Sequence, residues 1–420
     1  MEKLAIKKTV VMVGGGFAGI NLAKKLDKNL FEIILIDKLN HHQFQPLFYQ
    51  VAASQIEPSS ISFPLRFIFR NKQHIRIRLA KVKAVDLENN QINTNIGAFE
   101  YDYLILALGC KTNYFGNEAI GKHAFSLKTT YEAISIRNHI LQVFENIITS
   151  PEAEKQALQN IVLVGGGPTG VELAGAFAEI KKNILPKDYH RIDFTQLEII
   201  LIEGSQHTLN NMSANAQKYS KQYLENLGVK VLTNVIVTNF DGETLILNNG
   251  EVIKTRTVIW AAGVIANTIS GIPAENVTRG NRIKVNRYNQ MFGSQNVFVL
   301  GDQAYMETQK YPNGHPQVAN VAINQANLLA NNLARIVKGQ NLQEYEYNDL
   351  GTMATIGKNK AVVDLPFIKI QGFIAWVFWM FLHLMLILSV RNKLIIFINW
   401  AWAYVTKNTA LRIILKESEE

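Results

Sequence analysis

The chain has 420 residues, of which 48% are hydrophobic and 18% charged; this is more than one compact core accommodates, fits two or three domains and excludes a disordered chain. A net charge of +9 points to an anionic partner, and because no basic helix carries interleaved aromatics, that partner is read as a membrane surface and not a nucleic acid. The single cysteine, Cys110, excludes an internal disulfide, a dithiol redox pair and a cysteine-rich metal site, and suits a reducing cytoplasm.

In chain order, residues 9–13 form an apolar run that ends in three glycines. A secretory core needs about 7–15 apolar residues and a cleavage site, so this run is expected to be a first β-strand. Gly14, Gly16 and Gly19 follow as GxGxxG, then a helix expected over residues 20–27 and a buried strand, FEIILID, ending at Asp37. The stretch IRIRLAKVKAVDL reads as a β-meander returning to a buried strand, YDYLILALG, that ends at Gly109. A second GxGxxG, Gly165, Gly167 and Gly170, also follows a short β-branched run. Behind it come a helix over residues 171–180, a polar insertion over 181–193 and a buried strand ending at Glu203. TVIWAAG ends at Gly263 and NVFVLGD at Asp302. Strands that end in Gly or Gly-Asp supply the carboxyl edge where open α/β sheets bind ligands.

Each glycine has a task in such a motif. The first permits a tight turn, the second lets backbone approach a pyrophosphate at the positive end of the helix, and the third allows close helix–strand packing. Asp37 stands 18 residues after Gly19, at a strand end, where it can take a ribose hydroxyl pair. Glu203 stands 33 residues after Gly170, the excess being explained by the insertion; an acid there disfavours a 2′-phosphate, so NADH is preferred to NADPH. Two such sites in one chain suit a hydride donor and a bound flavin that mediates. The nine histidines show no metal-ligand spacing, and His41, His42 and His383 read as buried or interfacial rings.

These motifs, with HHQFQPLFYQVA at 41–52, ALGCKTNYFG at 107–116, WAAG at 260–263, LGD at 300–302 and INWAWAY at 398–404, make the chain resemble the type II NADH dehydrogenases. These are single-subunit, non-proton-pumping NADH:quinone oxidoreductases of the two-dinucleotide-binding flavoprotein superfamily. The resemblance implies an α/β fold with two Rossmann-like domains in glutathione-reductase-like tandem, plus a C-terminal helical membrane anchor. It implies an FAD-binding domain over 1–115 and 266–335, an NADH-binding domain over 116–265, and a C-terminal region over 336–420 with anchoring helices near 372–405. Non-covalent FAD is implied on Gly14, Gly16, Gly19, Asp37, Val82 (through its backbone), Gly109, Asp302 and Ala319. NADH is implied on Gly165, Gly167, Gly170, Glu203 and Gly263. Glu172 is the implied acid for proton handling with the quinone; its plainer reading is a helix N-terminal carboxylate held by the dipole. The family's quinone helix, AQxAxQQ, is here Ala319, Asn320, Val321, Ala322, Ile323, Asn324, Gln325. Two amides are thus one methylene shorter with their hydrogen-bonding groups kept; Asn320, Asn324 and Gln325 are the candidates to line the quinone. A homodimer on the cytoplasmic face of the cell membrane is also implied.

Residues 373–390 are almost wholly apolar, Arg391, Asn392 and Lys393 interrupt, and about twelve apolar residues follow. The first run is near the lower limit for spanning and the second too short, so spanning, core and monotopic placements stay open from length alone. Trp376, Trp379, Trp400, Trp402 and Tyr404, expected as headgroup-level rings, and the basic break between the runs favour a hairpin lying on an anionic surface. Two other functions stay open on the sequence: reduction of a soluble protein partner, and a flavin/NADH redox sensor.

Overall fold

The structure, a computed structural model, describes residues 7–190, 193–408 and 411–415. Arg191 and Ile192 of the polar insertion, and the charged tail beyond Leu415, lie outside the described residues. The chain divides into two compact units. The first is built from the segments up to His42, Phe63–Lys111 and Val264–Asp349. The second is built from Gln43–Ser62, Thr112–Gly263 and the chain from Leu350 on.

The first unit is organised by a five-stranded parallel sheet ordered Val297–Val299, Tyr103–Leu106, Lys8–Val13, Phe31–Asp37, Ile75–Leu79. Apart from the edge strand Ile75–Leu79, its strands are near-continuous aliphatic runs because both faces are covered. Val10 and Met12 face one buried cluster and Val11 and Val13 another. The order reverses beside Lys8–Val13, which creates the crevice at the carboxyl ends where nucleotides bind in doubly wound folds. The meander expected over IRIRLAKVKAVDL is divided in the structure. IRIRL is the edge strand of the parallel sheet, paired with Phe31–Asp37, and the antiparallel meander is Val82–Asp86, Gln91–Thr94 and Gly97–Glu100. The period-two alternation that suggested a meander comes from the edge position, where one face of the strand is half open.

The second unit repeats the plan with a four-stranded parallel sheet ordered Val229–Thr233, Glu198–Glu203, Asn160–Val164, Thr257–Trp260. The two glycine motifs open helices Phe17–Lys25 and Pro168–Asn183, each longer at its start than the apolar spacing suggested. In both, the GxG turn itself caps the helix, so no side-chain cap marks the start in the sequence.

The sequence boundaries placed 43–62 with the FAD-binding domain; in the structure this segment clusters with the second unit. Its short helix, Phe48–Ala52, is buried along its whole length and packs on helices Thr130–Thr149 and Pro168–Asn183. The chain from Leu350 adds a three-stranded antiparallel sheet, Thr352–Thr355, Ala361–Asp364 and Lys369–Gly372, to the same unit. Two helices follow, Phe373–Leu386 and Val390–Thr406. The break between them falls at residues 387–389, before the basic triplet. Asn392 is buried and its amide donates to Ser60 O at 2.9 Å and Ser59 O at 3.2 Å, which seats the second helix on the Pro58–Ile61 turn. No helix among the described residues is long and apolar enough to cross a membrane.

Candidate active site

In the first unit, the glycine turn is built from close approaches. Gly14 has φ +107°, and a Cβ there would lie 2.2 Å from Ala107 O; one on Gly19 would lie 1.9 Å from Gly14 O. At Gly16 a Cβ would meet nothing within 4 Å, so this side of the turn is open to a ligand at the helix N-terminus. Asp37 accepts from Gly15 N–H at 2.6 Å and Leu39 N–H at 2.7 Å. Burial nevertheless raises its pKa, and those N–H groups only partly offset the rise. A ribose hydroxyl pair supplies the further donors such a carboxylate takes, so the residues fit an adenosine end of a dinucleotide.

The same carboxyl edge carries Gly109 (φ +67°) and the Gly301–Asp302 turn. A Cβ on Gly301 would meet Ala322 and Ala18, so this turn nests between the first glycine helix and helix Ala319–Val337. Cys110 donates its thiol to Asp302 Oδ2 at 2.9 Å. Gln303 and Asn267 tie the edge together and were not singled out in the sequence. Gln303 Oε1 accepts from Leu108 N at 3.2 Å, its amide donates to Asn267 O, and Asn267 donates to Leu108 O. Ala319 opens helix Ala319–Val337, Asn320 and Asn324 are half-buried on it, and Val82 is half-buried at the start of its strand. Gln325 is 1% exposed, and its Oε1 accepts from Gly301 N–H at 2.8 Å. Its carbonyl is therefore committed to holding the Gly301–Asp302 turn.

The second unit mirrors the first. Gly165 has φ +110°, a Cβ on Gly170 would lie 1.9 Å from Gly165 O, and Gly167 is open. Glu203 accepts from Gly166 N–H at 2.5 Å and from Ser205 N–H and Oγ, both at 2.7 Å. Gly263 (φ +146°) ends the WAAG segment, where its carbonyl accepts from Asn113 N–H at 3.1 Å.

Glu172 lies two residues past Gly170 on the same helix but serves a different place. It is 8% exposed and its Oε1 accepts from Thr355 N–H at 3.4 Å. Burial raises its pKa to about 8, against smaller lowering by Thr355 N–H and the Trp379 indole. It is therefore a neutral acid near pH 7, which no dipole-held surface carboxylate would be. Glu172, Tyr49, Gln50, Thr355, Trp379 and Trp400 line a cavity of about 450 Å³, edged by Lys182, Lys358 and Lys407. Of these six, only Glu172 was singled out as a catalytic candidate. Tyr49 and Gln50 sat in a motif quoted only for its resemblance, and the tryptophans were expected at a lipid headgroup level. Trp379 corrects that expectation. It is 1% exposed, stacked on His383 with ring centroids 4.0 Å apart and edge-on to Tyr49. His383 holds Trp379 O through Nδ1 at 2.8 Å, and burial lowers its pKa to about 4, so it is neutral.

The C-terminal helices have two faces. Ala375, Trp379 and His383, and Asn392 and Ile396, point inward at fourfold spacing. Ile374, Val377, Phe381 and Met385, and Val390, Leu394, Phe397, Ile398, Trp402 and Val405, are exposed. An apolar stripe of this extent on both helices marks an interaction surface.

Residues 8–326 match the family of pyridine nucleotide-disulphide oxidoreductases, and residues 350–407 match the NDH2 C-terminal domain. The chain is 33% identical over 413 residues to the type II NADH:quinone oxidoreductase Ndh of Mycobacterium tuberculosis, covering 94% of this chain and 88% of that protein. It is 29% identical over 370 residues to a type II NADH:quinone oxidoreductase of Staphylococcus aureus, covering 85% and 89%. The NDH2 of Plasmodium falciparum in complex with NADH has the same fold, with TM-score 0.89, 22% identity and coverage of 98% and 100%. The sulfide:quinone oxidoreductase of Aquifex aeolicus is more distant, with TM-score 0.73, 20% identity and coverage of 92% of each chain. With Cys110 its only cysteine, the chain holds no dithiol for disulfide chemistry. The chain belongs to the type II NADH:quinone oxidoreductase family.

Proposed function

We propose that this chain is an NADH:quinone oxidoreductase that oxidises NADH through non-covalently held FAD and reduces a membrane quinone, without pumping protons. The observation that carries the reading is the pairing of two acid-and-glycine nucleotide sites in one chain with a cavity lined by a buried carboxyl, Glu172. FAD, when bound, supplies the hydride acceptor and the two-electron store that links NADH to the quinone. The first unit holds it: Gly14, Gly16 and Gly19 admit the pyrophosphate, Asp37 takes the ribose, and Asp302, Gly109, Val82 and Ala319 border the rest. Gln325 acts by fixing the Asp302 turn, and Asn320 and Asn324 lie half-buried on the same helix of the first unit, outside the lining of the second unit's cavity.

The second unit takes NADH on Gly165, Gly167 and Gly170, with Glu203 on the ribose and Gly263 at the sheet edge. Glu203 repels a 2′-phosphate and sets the preference for NADH. The quinone head enters the cavity of the second unit, where Glu172 presents a proton at its Oε atoms and Trp379 and Trp400 exclude water. The exposed stripes of the two C-terminal helices lie on an anionic lipid surface as a monotopic anchor, on the cytoplasmic face of the cell membrane. The active form is a homodimer.

The test is NADH oxidation by purified, detergent-stabilised protein with a soluble quinone analogue present or absent. Fast oxidation that requires the quinone supports the reading. Quinone-independent or negligible oxidation hands the chain to the partner-reductase or sensor readings.

A further inference from the structure

Trp400, Gln50 and Tyr49 form a hydrogen-bonded chain along the wall of the cavity. Trp400 Nε1–H donates to Gln50 Oε1 at 2.8 Å, and Gln50 Nε2 donates to the Tyr49 hydroxyl oxygen at 2.9 Å. The direction follows from donor chemistry. An indole N–H can only donate, so the end of the Gln50 amide that faces it is the carbonyl oxygen. The other end is then NH2, which also only donates, so the Tyr49 oxygen accepts. The Tyr49 hydrogen is consequently not spent on Gln50. Tyr49 and Gln50 are each 5% exposed, which leaves little water to turn either group around. Burial and the neighbouring Glu172 raise the Tyr49 pKa well above its ordinary value, so the hydroxyl keeps its proton.

We propose that Tyr49 is the hydrogen-bond donor to a quinone carbonyl oxygen in this cavity, held in its donating sense by Gln50 and Trp400 as positioning residues. This rests on the reading of the cavity as the quinone site. Trp400 belongs to the Val390–Thr406 helix, whose opposite face carries the exposed apolar stripe. The donor direction at the cavity is thereby tied to the seating of the lipid-facing helix.

The experiment compares Tyr49→Phe, Gln50→Glu and Trp400→Phe with the unmodified holoenzyme in two half-reactions: flavin reduction by NADH, and flavin reoxidation by a short-chain benzoquinone. Assayed at a pH high enough to ionise the introduced carboxyl, Gln50→Glu presents a group that accepts only, so it takes the hydrogens of both Trp400 and Tyr49 and turns the Tyr49 hydroxyl away from the cavity with every ring in place. Tyr49→Phe and Gln50→Glu are each expected to raise the benzoquinone KM about three- to tenfold, the worth of one hydrogen bond, with flavin reduction by NADH unchanged. Trp400→Phe frees the amide without reversing it and gives a smaller rise. An unchanged KM in Tyr49→Phe, or a raised one there beside an unchanged one in Gln50→Glu, overturns the proposal. So does a rise that comes with lost FAD or slowed reduction by NADH, which would mark a packing role. If the unmodified enzyme is itself not reoxidised by benzoquinone, it is the quinone reading of the cavity that fails.

Discussion

The Thr355 N–H reaches Glu172 Oε1 at 3.4 Å on a helix whose Gly175 would place a Cβ only 2.8 Å from Gly357 N. The bare glycine lets the Thr352–Thr355 strand and the turn after it close onto the helix and bury the acid. Gly175→Ala is expected to push this turn away and destabilise the protein by about 1–3 kcal/mol. Urea unfolding measures it; an unchanged midpoint would mean that the approach is not tight.

Glu172 should also leave a mark on stability against pH. Its folded pKa, about 8, lies above the ordinary 4.5 because of burial. Across that window the folded chain keeps a proton that the unfolded chain releases, so stability falls as pH rises. The contribution is complete below about 4.5 and lost above about 8. Glu172→Gln removes this slope, and unfolding at about pH 5, 7 and 9 should show the unmodified protein losing ground to the variant. Parallel losses would contradict the buried acid. In rapid mixing the same variant should slow quinone reduction more than flavin reduction; small, equal effects would remove its proton role.

The two mirrored acids should separate the two nucleotides. Asp37→Ala is expected to release FAD and yield colourless protein. Glu203→Ala is expected to keep FAD and raise the NADH KM about ten- to a hundredfold, the range for a hydrogen bond to a charged group, and to narrow the preference over NADPH. Absorbance spectra and steady-state kinetics read both. A yellow Asp37→Ala protein, or a Glu203→Ala protein that has lost FAD, would break the assignment.

The exposed stripes predict where the protein meets lipid. Phe397→Ser combined with Trp402→Ser removes two large apolar side chains, each worth roughly 1.5–3 kcal/mol when taken out of water. Flotation with anionic vesicles should show binding reduced at least about tenfold, while turnover with a soluble quinone analogue holds. Undiminished flotation would move the lipid contact elsewhere.

Much of this was legible in the sequence. The paired GxGxxG turns, the acids at Asp37 and Glu203 and the strand-ending glycines follow from local chemistry that a parallel sheet imposes within a few dozen residues. The cavity was less legible, because its walls come from segments far apart in sequence: Tyr49 and Gln50 from one short helix, Glu172 from another, Thr355 and Trp379 from the C-terminal part. Trp379 reads by composition as an interfacial ring, and only the inward spacing of Ala375, Trp379 and His383 sends it to the core. The Asn392 amide, hidden in a basic triplet, proves to be a buried clasp on Ser59 and Ser60 because the helix begins ahead of the triplet, at Val390, and turns this one side chain inward.

The central claim is electron passage from NADH through bound flavin to quinone, and anaerobic rapid mixing tests it most directly. NADH should bleach the flavin absorbance in a single turnover, and a subsequent push of soluble quinone should restore it. Bleaching that quinone cannot reverse, with the protein folded and FAD retained, would contradict the account.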